Sequence, residues 1–496
     1  MGGQQASGPR ATPADNPVMT APSPQPALAG FAHLPLAAPL QAAVQQLGFE
    51  QMTPVQQACL PAALSGRDLI VQAPTGSGKT AAFGLTLLNR LETGRWRVQA
   101  LVLCPTRELA DQVCAELRRL ASAGGNVKIL SLCGGATLRP QRESLAHGAH
   151  VVVGTPGRLL DHLGQGNLDL AALNTLVFDE ADRMLDMGFH DDMVSVVRHC
   201  PAQRQTLLFS ATYPEGIAKL AGRFLRAPQT VTVEAKAQAA AGGDAAAAIE
   251  QIAFEVTESE RLHAVGRLLA HFRPDRALAF CNTKQQCRDL VDVLTAQGVV
   301  ALALHGDLEQ RERDQVLIRF ALGSVTVLVA TDVAARGLDI EALAAVINVD
   351  VTPDAEVHVH RIGRTGRAGL NGLALSLVSL EEMGRIGRIE LAQGQPLAWQ
   401  PLASLSPASA EPLRPAMACL QILGGRKEKI RPGDVLGAFT GEAGFAAQQI
   451  GKIKVTDFHT YVGVAADVAD EAVRRLSAGQ LKGRKCKLRR LDEVVR

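Results

Sequence analysis

Several features are missing from this sequence, and each absence narrows what the chain can be. No run of about 18 uninterrupted apolar residues occurs, the minimum for a spanning helix, so no membrane partner is expected. The N-terminus lacks a basic stretch leading into an apolar core, so no secretory signal is expected. Ala6 stands where a myristoylation pattern beginning at Gly2 needs Ser or Thr. The nine cysteines include no C-x-x-C pair and are odd in number, which fits reduced thiols of a cytoplasmic protein better than a disulfide framework. Net charge is nearly absent too, at +2. A nucleic-acid partner is therefore not announced globally, and the distribution of charge has to be read instead.

What is present is a long chain with a repeated rhythm. At 496 residues it exceeds one hydrophobic core, and two or three domains are expected. Residues 1–30 are rich in Pro, Ala, Gly and Gln without apolar periodicity and are predicted to be disordered. From 31 to 234, apolar runs at 69–71, 100–104, 127–133, 151–154, 176–179 and 206–210 alternate with helical patterns, which predicts a parallel α/β sheet buried on both faces. The small-residue stretch 235–248 reads as a linker, with a short solvated helix as the alternative. The rhythm restarts over 249–398, with strands predicted at 277–281, 300–304, 325–330, 346–349 and 373–378. A second linker, 399–418, precedes a compact segment, 419–496.

The first chemical signal is Ala73-Pro74-Thr75-Gly76-Ser77-Gly78-Lys79-Thr80, between the apolar run 69–71 and a helical pattern. Strand, Gly-rich loop and helix form the context of a phosphate-binding loop. Gly76 and Gly78 would let successive N–H groups turn inward, Lys79 would reach the β- and γ-phosphates, and Thr80 would ligate Mg²⁺. The competing reading is a plain Gly-rich turn. The second signal is Asp179-Glu180-Ala181-Asp182 directly after an apolar strand. A carboxylate at the C-terminal edge of a parallel strand is where a nucleotide-bound metal is held, so Asp179 is the expected Mg²⁺ ligand and Glu180 the group that orients or deprotonates the attacking water. An acidic helix N-terminus is the alternative.

Taken with the motifs around them, these residues resemble the core of the DEAD-box RNA-dependent ATPases over residues 31 to about 378. The resemblance implies two tandem RecA-like domains, ATP and Mg²⁺ as cofactors, and RNA as partner. Gly48-Phe49 and Thr53-Pro54-Val55-Gln56 resemble the Q motif, with Phe31, seventeen positions before Gly48, as its aromatic partner. The amide of Gln56 offers the donor and acceptor that adenine's N6/N7 edge requires. Thr75, Gly76, Ser77, Gly78, Lys79 and Thr80 complete the implied nucleotide site, with Asp339 on the ribose. Thr106 and Arg107, Gly134-Gly135, Thr155 and Arg158 resemble the first domain's RNA contacts, whose mix of small residues, hydroxyls and Arg suits backbone recognition. Ser210-Ala211-Thr212 resembles the motif that couples hydrolysis to strand separation. In the second domain Gln310, Arg313 and Thr331 resemble further contacts, and Arg364 and Arg367 the arginine fingers that stabilise charge on the transferred phosphoryl group. Residue 73 is Ala where many phosphate loops have Gly, which the family tolerates.

Charge is concentrated at the C-terminal end. Residues 419–496 hold 15 Lys and Arg against 9 Asp and Glu, +6 in a chain of +2, which leaves −4 for the rest; that asymmetry is the footprint of a nucleic-acid surface. Predicted strands at 421–423, 450–455, 460–464 and 485–491, with helices at 434–440 and 468–476, give the βαββαβ order of an RRM-like α+β domain. The aromatic RNP signature is missing, which points to readout through basic loops rather than base stacking on the sheet. Residues 424–438, 450–453 and 482–485 resemble the RNA-binding domain of the bacterial DbpA proteins. That resemblance implies a hairpin of 23S rRNA and the large ribosomal subunit precursor as partners. Lys427, Lys429, Arg431, Lys482 and Lys485 are the candidate contacts. The expected protein is a monomeric RNA helicase. A general RNA-turnover helicase with a non-specific basic anchor and an ATP-gated RNA clamp are the alternatives.

Overall fold

Near-continuous apolar strands bury both faces, so each needs helices above and below it. The computed structural model describes residues 19–20, 30–74, 76–135, 137–213, 215–233, 249–335, 343–366, 372–409, 411, 413–481, 484–485 and 487–491. The chain divides into two compact units, 1–243 and 244–496.

In the first unit the strands are β1 (Met19–Thr20), β2 (Leu69–Gln72), β3 (Ala100–Leu103), β4 (Ile129–Leu132), β5 (Val151–Gly154), β6 (Thr175–Phe178), β7 (Gln205–Ser210) and β8 (Gln229–Thr232). They form one parallel sheet in the order β1-β8-β2-β7-β6-β3-β5-β4. Successive residues of each strand go to opposite cores. Val71, Val102, Val177 and Phe209 pack with Phe83 and Leu117 on one face, while Ile70, Leu101, Leu176 and Leu208 pack with Met193 and Phe224 on the other. This two-sided burial is what the apolar runs predicted. Two strands of this unit were not predicted. β8 is the polar run Gln-Thr-Val-Thr, and β1 lies in the segment read as disordered, where Met19 and Thr20 pair with Val231 and Thr232.

The second unit begins with β9 (Ile249–Glu255), β10 (Ala277–Cys281), β11 (Ala301–Leu304), β12 (Val327–Thr331), β13 (Ala345–Asn348), β14 (Gly372–Val378) and β15 (Ala398–Trp399). Their order is β11-β12-β10-β13-β14-β9-β15, again parallel. Then follow β16 (Met417–Leu423), β17 (Ile450–Val455), β18 (His459–Ala465), β19 (Gln480–Leu481), β20 (Arg484–Lys485) and β21 (Leu488–Arg490). β17-β18-β16-β21 make an antiparallel sheet, and the helices Pro432–Gly437 and Ala469–Ala478 cover one face through Val435, Ala472 and Leu476. The single strand predicted at 485–491 is instead two, because Arg484 and Lys485 pair with β19 and only β21 joins β16.

The other face of this small sheet is not free. Cys419, Tyr461 and Leu491 pack on Leu322 and Ile318 at the end of the helix Gln310–Ala321. The approach is close enough that a Cβ on Gly463 would sit 3.1 Å from the Leu322 carbonyl oxygen. Eight cysteines fall within the described residues, all as free thiols and all but Cys200 buried. Among the described residues no helix is long and apolar enough to cross a membrane.

Candidate active site and nucleic-acid interface

The phosphate-binding residues stand at the carboxyl end of β2, where the chain turns into the helix Lys79–Asn89. Gly76 has φ 79° and Gly78 φ 90°, the left-handed region open to glycine. A side chain at Gly78 is also excluded by space, since its Cβ would lie 2.6 Å from Gln56 Nε2. The N-terminus of the following helix adds unpaired N–H groups and positive potential. Lys79 Nζ donates to the Ala73 carbonyl at 2.8 Å, and Ser77 Oγ donates to that of Pro74, also at 2.8 Å. Thr75 lies outside the described residues.

The Q-motif residues brace this loop. Thr53 Oγ1 donates to the Ser77 carbonyl at 2.7 Å, and Gln56 Nε2 donates to that of Gly78 at 3.2 Å. Gln56 Oε1 accepts from the Thr53 backbone N–H at 2.9 Å, closing a capping box. One N–H and one lone pair of the amide remain for a base edge. Phe31 is buried in the core, with its ring 6.1 Å from that of Phe49.

Across the sheet, at the end of β6, Asp179 and Glu180 face the same region. Burial, then the neighbouring Glu180 carboxylate, push Asp179 up to about 7, with Lys79 opposing. Glu180 holds φ 52°, a conformation that costs a non-glycine residue about 1–2 kcal/mol and marks functional turns. Its carboxylate lies 3.3 Å from Arg183 Nη1 as an ion pair, yet buried Oε2 has no hydrogen-bond partner. Asp182 has a role that the tetrapeptide alone did not reveal: its Oδ2 accepts from the Ala211 N–H, the Thr212 N–H and Thr212 Oγ1 at 3.0–3.1 Å. The acidic turn is thereby bonded to the Ser-Ala-Thr turn after β7. Oxygen ligands dominate the candidate set: the Thr80 hydroxyl and the carboxylates of Asp179 and Glu180, the latter with Oε2 free of hydrogen bonds and 3.3 Å from Arg183 Nη1. That set fits a hard divalent cation such as Mg²⁺.

The residues expected to touch RNA gather on the other half of the same sheet edge, after adjacent strands β3, β5 and β4. Thr106 caps the helix Arg107–Leu120, accepting from the Leu109 N–H at 3.3 Å. The Arg107 guanidinium lies where a Cβ on Gly135 would stand, and Gly135 has φ 77°. Thr155 is the N-cap residue of the helix Pro156–Gly164. Arg158 Nη1 donates to Gln141 Oε1 at 2.8 Å, while Gln141 Nε2 donates to the Cys133 carbonyl at 3.1 Å. Gln141, not anticipated from the sequence, thus joins two of these loops.

In the second unit Thr331 ends β12, and Arg313 Nη2 donates to the Ala334 carbonyl just beyond it at 2.7 Å. Arg364 is buried at the end of the helix Ala355–Ile362; Arg367 and Asp339 lie outside the described residues. Arg361 was also missed. It is fully buried, makes paired 2.7 Å bonds to both carboxylate oxygens of Asp332, and stands over the Phe280 ring. In the C-terminal part, Lys427, Lys429 and Arg431 share one loop after β16. Lys482 is outside the described residues, and only the backbone of Lys485 is described.

Three family models match this chain: the DEAD/DEAH box helicase over residues 53–220, the helicase conserved C-terminal domain over 260–369, and the DbpA RNA binding domain over 419–490. The ATP-dependent RNA helicase DbpA of Escherichia coli (strain K12) is 52% identical over 449 residues, covering 90% of this chain and 96% of that one. The chain is a DEAD-box ATP-dependent RNA helicase. Relatives without so extensive a match include the DEAD-box ATP-dependent RNA helicase CshA of Geobacillus kaustophilus, 43% identical over 67% of this chain and 70% of that one. Among solved structures, S. cerevisiae Dbp5 bound to RNA and ADP BeF3 matches with a TM-score of 0.68 at 30% identity, over 75% of this chain and 96% of that one. This DEAD-box helicase therefore uses ATP and acts on RNA, and it carries a DbpA-type RNA-binding domain.

Proposed function

We propose that this helicase opens short duplexes of 23S ribosomal RNA in the cytoplasm during assembly of the large ribosomal subunit, working as a monomer anchored by its C-terminal domain. The observation that carries this reading is the DbpA-type domain at 419–490, on a chain similar to E. coli DbpA along nearly its whole length. The +6 charge of residues 419–496 supports it.

In this reading the loop amides of 76–80 and Lys79 hold the β- and γ-phosphates. Thr80 and Asp179 hold Mg²⁺, which supplies charge neutralisation on the phosphates. Glu180 takes a proton from the attacking water at its carboxylate. Asp182 carries the state of the acidic turn to Ser210-Ala211-Thr212. Arg364 and Arg367 stabilise the charge that develops on the transferred phosphoryl group, and hydrolysis waits on RNA. Thr106, Arg107, Gly135, Thr155, Arg158 and Thr331 grip the backbone of one strand. The anchor fixes the place of action, which makes unwinding local.

The test is ATPase rate against RNA concentration for the full chain, with an RNA carrying the 23S peptidyl-transferase hairpin and an unrelated RNA of equal length. Activation by the hairpin RNA at far lower concentration is expected, with a preference that persists as salt is raised. Phosphate contacts alone would weaken all RNAs alike, and equal activation by both RNAs overturns the ribosomal reading.

A further inference from the structure

RNA-binding sheets of this topology stack bases on aromatic residues of their open face. Here the part of that face around Cys419 and Tyr461 is covered by Ile318 and Leu322. Tyr461 on that face is 8% exposed and accepts a hydrogen bond from Gln421 Nε2 at 3.1 Å, so the ordinary stacking surface is closed at its centre, while His459, with its ring 6.3 Å from that of Tyr461, lies toward the open end. At the uncovered end of the same sheet, in the turn before β18, Phe458 is 55% exposed. More than half of this residue's surface is therefore left in water rather than packed.

The backbone beneath that ring is fixed. Gly424 N–H donates to the Phe458 carbonyl, Lys427 N–H to that of Asp457, and Arg426 N–H to that of Thr456, at 2.8–3.1 Å. Thr460 Oγ1 donates to the Gly424 carbonyl at 2.9 Å. The two turns press together so closely that a Cβ on Gly425 would overlap the Thr456 carbonyl. The Lys427 ammonium stands 4.1 Å from the ring centroid. A rigidly mounted exposed ring with a cation over one face has the two parts of a single-strand platform: the opposite π-face for a base and a positive charge for its phosphate.

We propose that Phe458, with Lys427, is the stacking site for one unpaired base of the RNA held by the C-terminal domain. The proposal rests on that domain's being an RNA anchor. Cation and ring recognise any base, so the pair adds affinity for an unpaired nucleotide without choosing its identity. The surrounding loop, with Arg426, Lys429 and Arg431, supplies further positive charge, although Arg426 is paired with Asp457 at 2.9 Å.

The test uses the full chain without nucleotide and the 23S hairpin RNA, with 2-aminopurine placed at each loop position in turn. For the unsubstituted chain, quenching at one loop position is expected. Phe458→Leu keeps an apolar side chain but removes the π-face; it should abolish that quenching and weaken binding about tenfold. Phe458→Tyr should keep both, which separates stacking from a folding defect. If hairpin and fully paired RNA bind equally to the unsubstituted chain, the anchor reading and this proposal fall together. If the hairpin is preferred but Phe458→Leu binds and quenches as before, only the stacking site falls.

Discussion

Glu180 occupies a left-handed backbone position at a strand-to-helix turn, with one carboxylate oxygen buried and no hydrogen-bond partner. A group held at such cost is positioned before its substrate arrives. Glu180→Gln keeps the shape and removes the proposed base, so RNA-stimulated kcat should fall by about 10²–10⁴ while ATP still binds; Lys79→Ala should lose both binding and turnover. Near-normal steady-state ATPase in both variants would remove the assigned roles. A second residue-scale effect concerns pH. His358 is buried beside Gln251, and burial pushes its imidazole down to about 4. In the unfolded chain it titrates near 6.5, so as pH falls below that value the unfolded state binds the proton first. Stability of the second unit is therefore complete above pH 6.5 and declines by about 3 kcal/mol towards pH 4. Urea melts across this range should show that loss, and His358→Gln should flatten it. Lys79, Asp179 and Glu180 stand out as candidates in the sequence because the order strand, loop and helix around them is local. Asp182 and Arg361 were illegible because their partners, Thr212 and Asp332, lie 30 and 29 residues away, and a buried arginine reads as a surface one.

At the scale of elements, apolar runs located the strands that are buried on both faces. They failed for β8, whose threonines carry no apolar run, and for β9, whose Ile-Glu-Gln-Ile mixes polar residues into a strand paired on both sides. The packing of β16 and β18 on the helix Gln310–Ala321 was equally hidden, since Cys419 and Tyr461 announce no partner. That contact can be measured. Cys419 is wholly enclosed, and burial pushes its thiol up to about 12. Leu322→Asp should cost the contact about 2 kcal/mol or more, and Cys419 should then label roughly thirtyfold faster with a thiol reagent. Unchanged labelling would mean that the sheet face holds without Leu322.

For the whole molecule, two compact units in one chain predict departure from a single cooperative melt. Calorimetry should resolve two transitions. A non-hydrolysable ATP analogue at a hundred times its Kd should stabilise the unit containing Lys79 by about 2.7 kcal/mol and leave the other close to its original midpoint in the absence of RNA. Parallel shifts of both transitions would contradict this. The covered sheet face has a consequence of its own for building chimaeras. A foreign RNA-binding module grafted after residue 416 would arrive with its sheet face committed to its own RNA, and Leu322 would be left facing water. A working transplant has to carry Cys419, Tyr461 and Gly463, or their equivalents, along with the loops that read the RNA. In this chain the surface of attachment and the surface of recognition are inherited together.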